Sequence, residues 1–319
     1  MRIDRDPRWA KIVGYVAALT AGVVMGLSWV IFKLELNLEA LGAAEVNWLN
    51  MIGVTIIIWP VYLIRHRGNT FPREHPYRWL LLFATFAAGL FYLRNIGVDL
   101  CGATTAAIVS RVETGFVFML SYLVLRQAVS GLGWFGTAVL LLGVLRTIGV
   151  GSAEMIFPIG GVVALVGAAL LIAFNAAIIK TQFNRVPNEM AVLASATVQT
   201  VIFSVVVPVF IGLEGVRFVL ANPQYLGLIA LASVSIAGNL FLYYYAMKRA
   251  PMWAVRVLAL ISLPSAVVAD YLILGEPITM NAVQGMVLVI IGALIIIQSG
   301  RRRGKTAERR EDCHECSEI

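Results

Sequence analysis

Apolar residues run along this chain in blocks of about twenty, set apart by short stretches of Pro, Gly and charge. The blocks predict helices at 11–33, 43–64, 78–97, 104–125, 131–150, 158–180, 189–212, 224–247, 252–274 and 280–299. At a rise of about 1.5 Å per residue, each can cross the roughly 30 Å hydrocarbon core of a bilayer. The connection from Arg126 to Gly131 is short, so one bent helix there is the competing count. The block from Ile12 to Phe32 exceeds the roughly 7–15 residues of a signal-peptide core and is predicted to stay as the first membrane helix.

Composition strengthens this picture. Hydrophobic residues make up 60% of the 319 positions and charged residues 13%, against about 25% charged in soluble domains. The formal charge of +7 gives no case for nucleic acid, because most basic residues lie in loops and tails, where they report topology. With the N-terminus in the cytoplasm, that side receives Arg2, Arg5, Arg8, Lys11, Arg65, Arg67, Arg73, Arg78, Arg126, Lys180, Arg185, Lys248, Arg249 and the tail arginines; the opposite side receives Arg217 and, at a helix end, Lys33. The expectation is a multi-pass protein of a bacterial inner membrane with both termini cytoplasmic. Of three cysteines, Cys313 and Cys316 fall in a polar tail as Cys-His-Glu-Cys. That spacing implies no disulfide framework, and it would hold metal only with ligands from a partner.

Displacing the chain by 149 residues lays Ala88-Gly89 on Ala237-Gly238, Ser130 on Thr279, Gly136 on Gly285 and Gly143 on Gly292. Nearer the front the displacement drifts, to 148 for Pro60 on Pro208 and 147 for Lys33 on Lys180. The predicted fold class is therefore an all-α membrane protein of about ten helices in two five-helix repeats. Its predicted parts are a cytoplasmic segment 1–10, repeats 11–150 and 151–299, and a cytoplasmic polar tail 300–319 expected to be disordered. Five is odd, so the second repeat enters the membrane inverted, a plan suited to alternating access.

The segment Ser262-Leu-Pro-Ser-Ala-Val-Val-Ala-Asp-Tyr-Leu-Ile-Leu-Gly-Glu-Pro-Ile-Thr, followed by Gly285 and Gly292, resembles the end of an EamA-type repeat of the drug/metabolite transporter superfamily. The resemblance covers about residues 12–299 and implies a permease or exporter of metabolites, amino acids or drugs with its cavity between the repeats. The chain departs from the family pattern at Arg126-Gln127, where a Gly-Glu pair is usual, at Asn50, where an Arg is usual, and at Ser110-Arg-Val-Glu-Thr-Gly in the fourth helix.

Ionisable groups inside spans cost about 2.5–3.5 kcal/mol on insertion scales, so each needs a partner, a wet cavity or an interface. Arg111 and Glu113 lie roughly 10 and 13 Å deep at 1.5 Å per residue. Two positions apart on a regular helix, they point in different directions and should meet other helices. By the 149-residue displacement Glu113 corresponds to Ser262 and Gly115 to Pro264, which places the most polar and kink-prone part of both helices near the midplane. Gln199 and Asn239 reach similar depth. Arg256, equivalent to Ala107, would share a face with Arg111, and two guanidinium groups flanking a cavity suit a carboxylate or phosphate. Glu45, Arg94, Arg146 and Asp270 fall near outer helix ends as an outer-gate candidate.

The cargo expected is a small organic metabolite, anionic or amino-acid-like, with Glu113 as the proton-coupling candidate. The same-class alternative is a proton-coupled exporter of lipophilic cations, with Glu113 as counter-charge and Tyr92, Tyr243, Tyr244 and Trp29 as aromatic contacts. The different-class alternative is a membrane scaffold or sensor signalling through its tail. No phosphate-binding loop, metal-ligand set or nucleophile motif stands in an interpretable context, so no enzyme and no cofactor is expected. The expected partners are the cargo, the lipid bilayer and a coupling proton or exchanged metabolite, in a monomer or homodimer.

Overall fold

The structure is a computed structural model, and it describes residues 7–38, 41–65, 76–123, 131–148, 158–183, 186–249, 255 and 258–315. The elements are α1 (Pro7–Leu36), α2 (Ala43–Arg65), α3 (Tyr77–Cys101), α4 (Ala103–Val109), α5 (Val112–Leu123), α6 (Gly131–Thr147), α7 (Ile159–Gln182), α8 (Asn188–Val206), α9 (Glu214–Ala221), α10 (Pro223–Arg249), α11 (Ser262–Ala269) and α12 (Met280–Glu315). Single π-helical turns extend α8 through Val207–Ile211 and α11 through Asp270–Leu274. No strand occurs among the described residues.

Six helices are long and apolar enough to cross a membrane: α1, α2, α3, α7, α8 with its π turn, and α10. Among the described residues the fifth and ninth blocks give shorter apolar helices, Gly131–Thr147 and Ser262–Leu274, and the tenth gives the apolar part of α12 from Met280. The fourth block is divided at Ser110-Arg111 into α4 and α5. The chain is thus a multi-pass membrane protein. The link at 124–130 lies outside the described residues.

Packing runs mainly between the two halves. α1 lies on α10, α3 on α7, α2 on α8, α4 on α11 and α6 on α12. Exchanging the halves turns the α1–α10 contact into the α7–α3 contact and maps the α2–α8 and α6–α12 pairs onto themselves. The contact of α1 with α11 has its counterpart in α7 with α5, and that of α2 with α10 in α8 with α3. Such exchange is what a two-fold related pair of repeats produces.

The α6–α12 seam shows why glycine recurs at matched positions. A Cβ on Gly143 would lie 2.8 Å from the Gly285 carbonyl oxygen, and one on Gly292 2.7 Å from the Gly136 carbonyl oxygen. Gly136 faces Gly292 and Gly143 faces Gly285, so the 149-residue pairs cross over and let two backbones touch.

α12 continues beyond residue 300 through Glu315. Arg, Lys, Glu and Ala dominate that stretch, and all are strong helix formers. Cys316 falls outside the described residues, as does the C-x-x-C spacing as a whole.

Candidate functional site

The fourth and ninth blocks break at the same level. Beyond Val109 the hydrogen bonds tighten to three-residue spacing, from Arg111 N to the Ile108 oxygen and from Glu113 N to the Ser110 oxygen. The ninth block does the same, from Ile261 N to the Leu258 oxygen and from Leu263 N to the Leu260 oxygen. Pro264 has no N–H for the Leu260 carbonyl, which accounts for the second break. Turns at Ser110-Arg111 and Leu260-Ile261 therefore stand in equivalent places of the two repeats, near where the displacement located the most kink-prone region.

The break also corrects the expected geometry of Arg111 and Glu113. On a regular helix they would diverge; across the interruption Arg111 Nη1 lies 3.4 Å from Glu113 Oε1. Arg111 Nη2 donates to Ser262 Oγ at the start of α11 and lies 3.7 Å from Met25 Sδ on α1. Arg111, Glu113 and Ser262 are all buried. A buried guanidinium needs several such contacts, since each charge-assisted hydrogen bond contributes about 1.5–3 kcal/mol against an insertion cost of about 2.5–3.5 kcal/mol. The result ties the broken helix of one repeat to that of the other.

Beside this tie lies a cavity of about 210 Å³ lined by α1, α3, the Ser110–Thr114 break, α7, α8, α10 and the Ala259-Leu260 break, with Ala293 of α12 at its edge. Its lining is paired by the repeat. At 149 residues apart, Leu90 and Asn239, Phe91 and Leu240, Arg94 and Tyr243, Ser110 and Ala259, and Arg111 and Leu260 all face the same space. At 147 residues apart, so do Ala21 and Ala168, Met25 and Ile172, and Trp29 and Ala176. The cavity straddles the axis that relates the halves.

It is not centred along that bundle. The lining reaches Ile179 near the end of α7 and Val192 near the start of α8, but stops at Trp29 and Arg94, each seven residues short of its helix end. The cavity thus leans toward the end where α1 begins, called here the tail end. The far end is fastened: Asp270 Oδ2 accepts from Thr104 N and Oγ1, and Lys33 Nζ donates to the Asp99 carbonyl oxygen at 2.8 Å. At the tail end Arg65 pairs with Glu189 across the repeats.

Of the residues picked out by sequence, Arg111, Glu113, Asn239, Tyr243, Tyr244, Trp29 and Arg94 line the cavity. Ser262 touches it only through Arg111. Gln199 is fully buried behind the wall, donating to Ser195 Oγ at 2.9 Å and accepting from Asn47 Nδ2 at 3.5 Å. Tyr92 turns outward and packs on Phe203 with ring centroids 5.9 Å apart. Arg256 lies outside the described residues.

The outer-gate set is not brought together, for no hydrogen bond or ion pair joins any two of Glu45, Arg94, Arg146 and Asp270. Glu45 reaches back to the Gly42 N–H at 2.9 Å, half of a capping box on its own helix. Arg146 donates to Gln284 on α12 at 2.9 Å. Arg94 sits deeper than an end position, over the rings of Phe32 and Phe91 at 4.2 Å each and Trp29 at 5.4 Å.

Three polar residues were not singled out by sequence. Glu35 is completely buried at the end of α1 and accepts from Asn50 Nδ2 at 2.8 Å. Its position two residues past the first apolar block, which ends at residue 33, hid it. Asn175 and Ser110 line the cavity, each with a buried oxygen lacking a hydrogen-bond partner. Displacement by 147 sets Asn175 on Ser28 of α1, a signal that could have flagged it.

The comparisons with known proteins agree with this architecture. A sequence model described as the EamA-like transporter family matches residues 12–149 and again 159–298. Among curated proteins none matches the chain. A crystal structure described only as that of a protein superimposes with a TM-score of 0.59 at 16% identity, over 92% of this chain and 98% of the other. At that identity the likeness concerns the fold.

Proposed function

We propose how this chain, which belongs to the EamA-like transporter family, moves its cargo: as a secondary carrier of a small organic metabolite, anionic or amino-acid-like, held between the repeats and released by their rocking. The observation that carries this reading is the cavity on the axis relating the halves, fastened at the far end and leaning toward the tail end. With the N-terminus cytoplasmic, as the basic residues suggest, that is an inward-leaning state. Exchanging the arrangements of the two repeats would fasten the tail end and open the other.

The lining favours an anion. Among the described residues it holds two guanidinium groups, Arg94 and Arg111, against one carboxylate, Glu113. A lipophilic cation would find aromatic faces at Trp29, Tyr243 and Tyr244, but its counter-charge Glu113 is already occupied by Arg111. Glu113 is the coupling group in this reading. Protonation would release Arg111 and with it the tie to Ser262, so that proton movement and rearrangement go together.

Mass spectrometry of medium and cell extract tests the proposal, comparing cells that express the chain with cells expressing an Arg111→Ala variant. At least one small organic acid or amino acid is expected to redistribute across the membrane only with the intact chain. Identical small-molecule profiles, with both proteins present in the membrane, would overturn it.

A further inference from the structure

The cavity has a second lobe around Arg94. Met25, Trp29, Phe91, Arg94, Asn239 and Leu240 line both the main space and a smaller void reaching Ser28 and Phe32. Arg94 rises into this lobe from α3 with aromatic rings of α1 and α3 on several sides. Its Nε and Nη2 are buried without hydrogen-bond partners, and so is Nε1 of Trp29. Among the described residues no carboxylate lies within ion-pairing distance of Arg94. Three donor nitrogens, two of them on a cation, thus gather in this lobe without an acceptor.

Buried donors are normally satisfied, and a cluster that is not marks a place for an acceptor. Arg111, by contrast, is engaged by Glu113 and Ser262. One turn beyond Phe32, whose ring Arg94 covers, Glu35 Oε1 also lacks a partner. Arg94 is therefore poised between an internal carboxylate and the cavity.

We infer that Arg94, with Trp29, forms the anion-binding subsite of the cavity and takes the carboxylate of a compact monocarboxylate whose apolar body lies against Phe91 and Leu240, while Glu35 competes for the same guanidinium. This rests on the carrier reading and names its cargo class. The planar guanidinium matches a carboxylate in two parallel hydrogen bonds. Size is consistent: an apolar cavity of about 150 Å³ admits benzene, and about 210 Å³ leaves room for a ring bearing a carboxylate. Glu35 sets the affinity, because whatever charge it retains is charge the cargo must displace.

The probe is benzoate, with benzamide as its uncharged match, titrated calorimetrically against the purified full chain in lipid nanodiscs. Benzoate should bind at least tenfold more tightly than benzamide. Arg94→Gln should weaken benzoate at least tenfold, and Glu35→Gln should tighten it at least threefold, an effect that a purely structural Glu35 would not give. If Arg94→Gln does not fold, Arg94→Lys carries the same test, since it keeps a charge but loses the planar pair of donors, and benzoate should weaken at least threefold. Equal binding of benzoate and benzamide, undiminished binding in the Arg94 variants, or unchanged affinity in Glu35→Gln would overturn the subsite. Benzoate binding with these responses but no flux of any small molecule would sink the carrier reading and leave the subsite standing.

Discussion

At the level of single residues, the useful sequence signal was charge where lipid should be. Arg111 and Glu113 announced themselves because nothing else explains an ionised group amid Val, Ile and Phe, and both line the cavity. Depth arithmetic was weaker. It placed Arg94 among helix-end charges, and it passed over Glu35, because neither count could know that rings from α1 would wrap one residue or that Asn50 would bury the other. Two consequences are testable here. Glu113→Gln should abolish flux driven by a proton gradient while leaving cargo exchange measurable in proteoliposomes; proton-driven flux at the original rate would remove Glu113 as the coupling group. Ser262→Ala takes away an acceptor from a buried guanidinium, a change that costs about 1–3 kcal/mol. A lower thermal midpoint for the purified protein is the expected reading, with Ser262→Thr recovering most of it.

Helices were legible as blocks and less so as geometry. A hydropathy block says that a segment is apolar, not that its backbone is continuous, so the interruption at Ser110-Arg111 could not be read from composition. The matching break could: Pro264 removes a hydrogen bond wherever it lies inside a helix. Replacing it by Ala should restore a donor and stiffen α11, raising the thermal midpoint while slowing turnover; faster turnover would mean that the break does not serve movement. The α6–α12 seam gives a sharper case. Gly143→Leu or Gly292→Leu drives a side chain into backbone, where overpacking costs about 1–3 kcal/mol or more, and folded protein should fall steeply in size-exclusion profiles. Gly238→Ala is the control: a Cβ there meets nothing within 4 Å, and the yield should hold.

For the whole molecule, the internal displacement was the strongest sequence evidence, and contacts exchange as two related repeats require. What sequence could not supply was which end of the cavity is fastened, since that depends on the state of the bundle rather than on its plan. The Thr104–Asp270 contact at the far end offers a handle. With Cys101, Cys313 and Cys316 replaced by Ser, the pair Thr104→Cys and Asp270→Cys should stop flux on oxidation and regain it with reductant. Undiminished flux from the oxidised protein would mean that cargo does not leave between α4 and the π turn after α11.

The paired lining carries a further consequence for any cargo. Duplication has made the frame symmetric, but the facing positions have drifted apart: arginine opposite tyrosine at 94 and 243, serine opposite alanine at 110 and 259, arginine opposite leucine at 111 and 260. A molecule in that space meets a fixed polarity, with one direction defined by the chemistry of the wall. It would keep a single pose whichever mouth it entered by. Any difference in apparent affinity between the two faces of the membrane would then originate in the fastenings at the mouths, and changes confined to Thr104, Asp270, Arg65 or Glu189 should alter the apparent affinity at each face without altering which molecules are chosen.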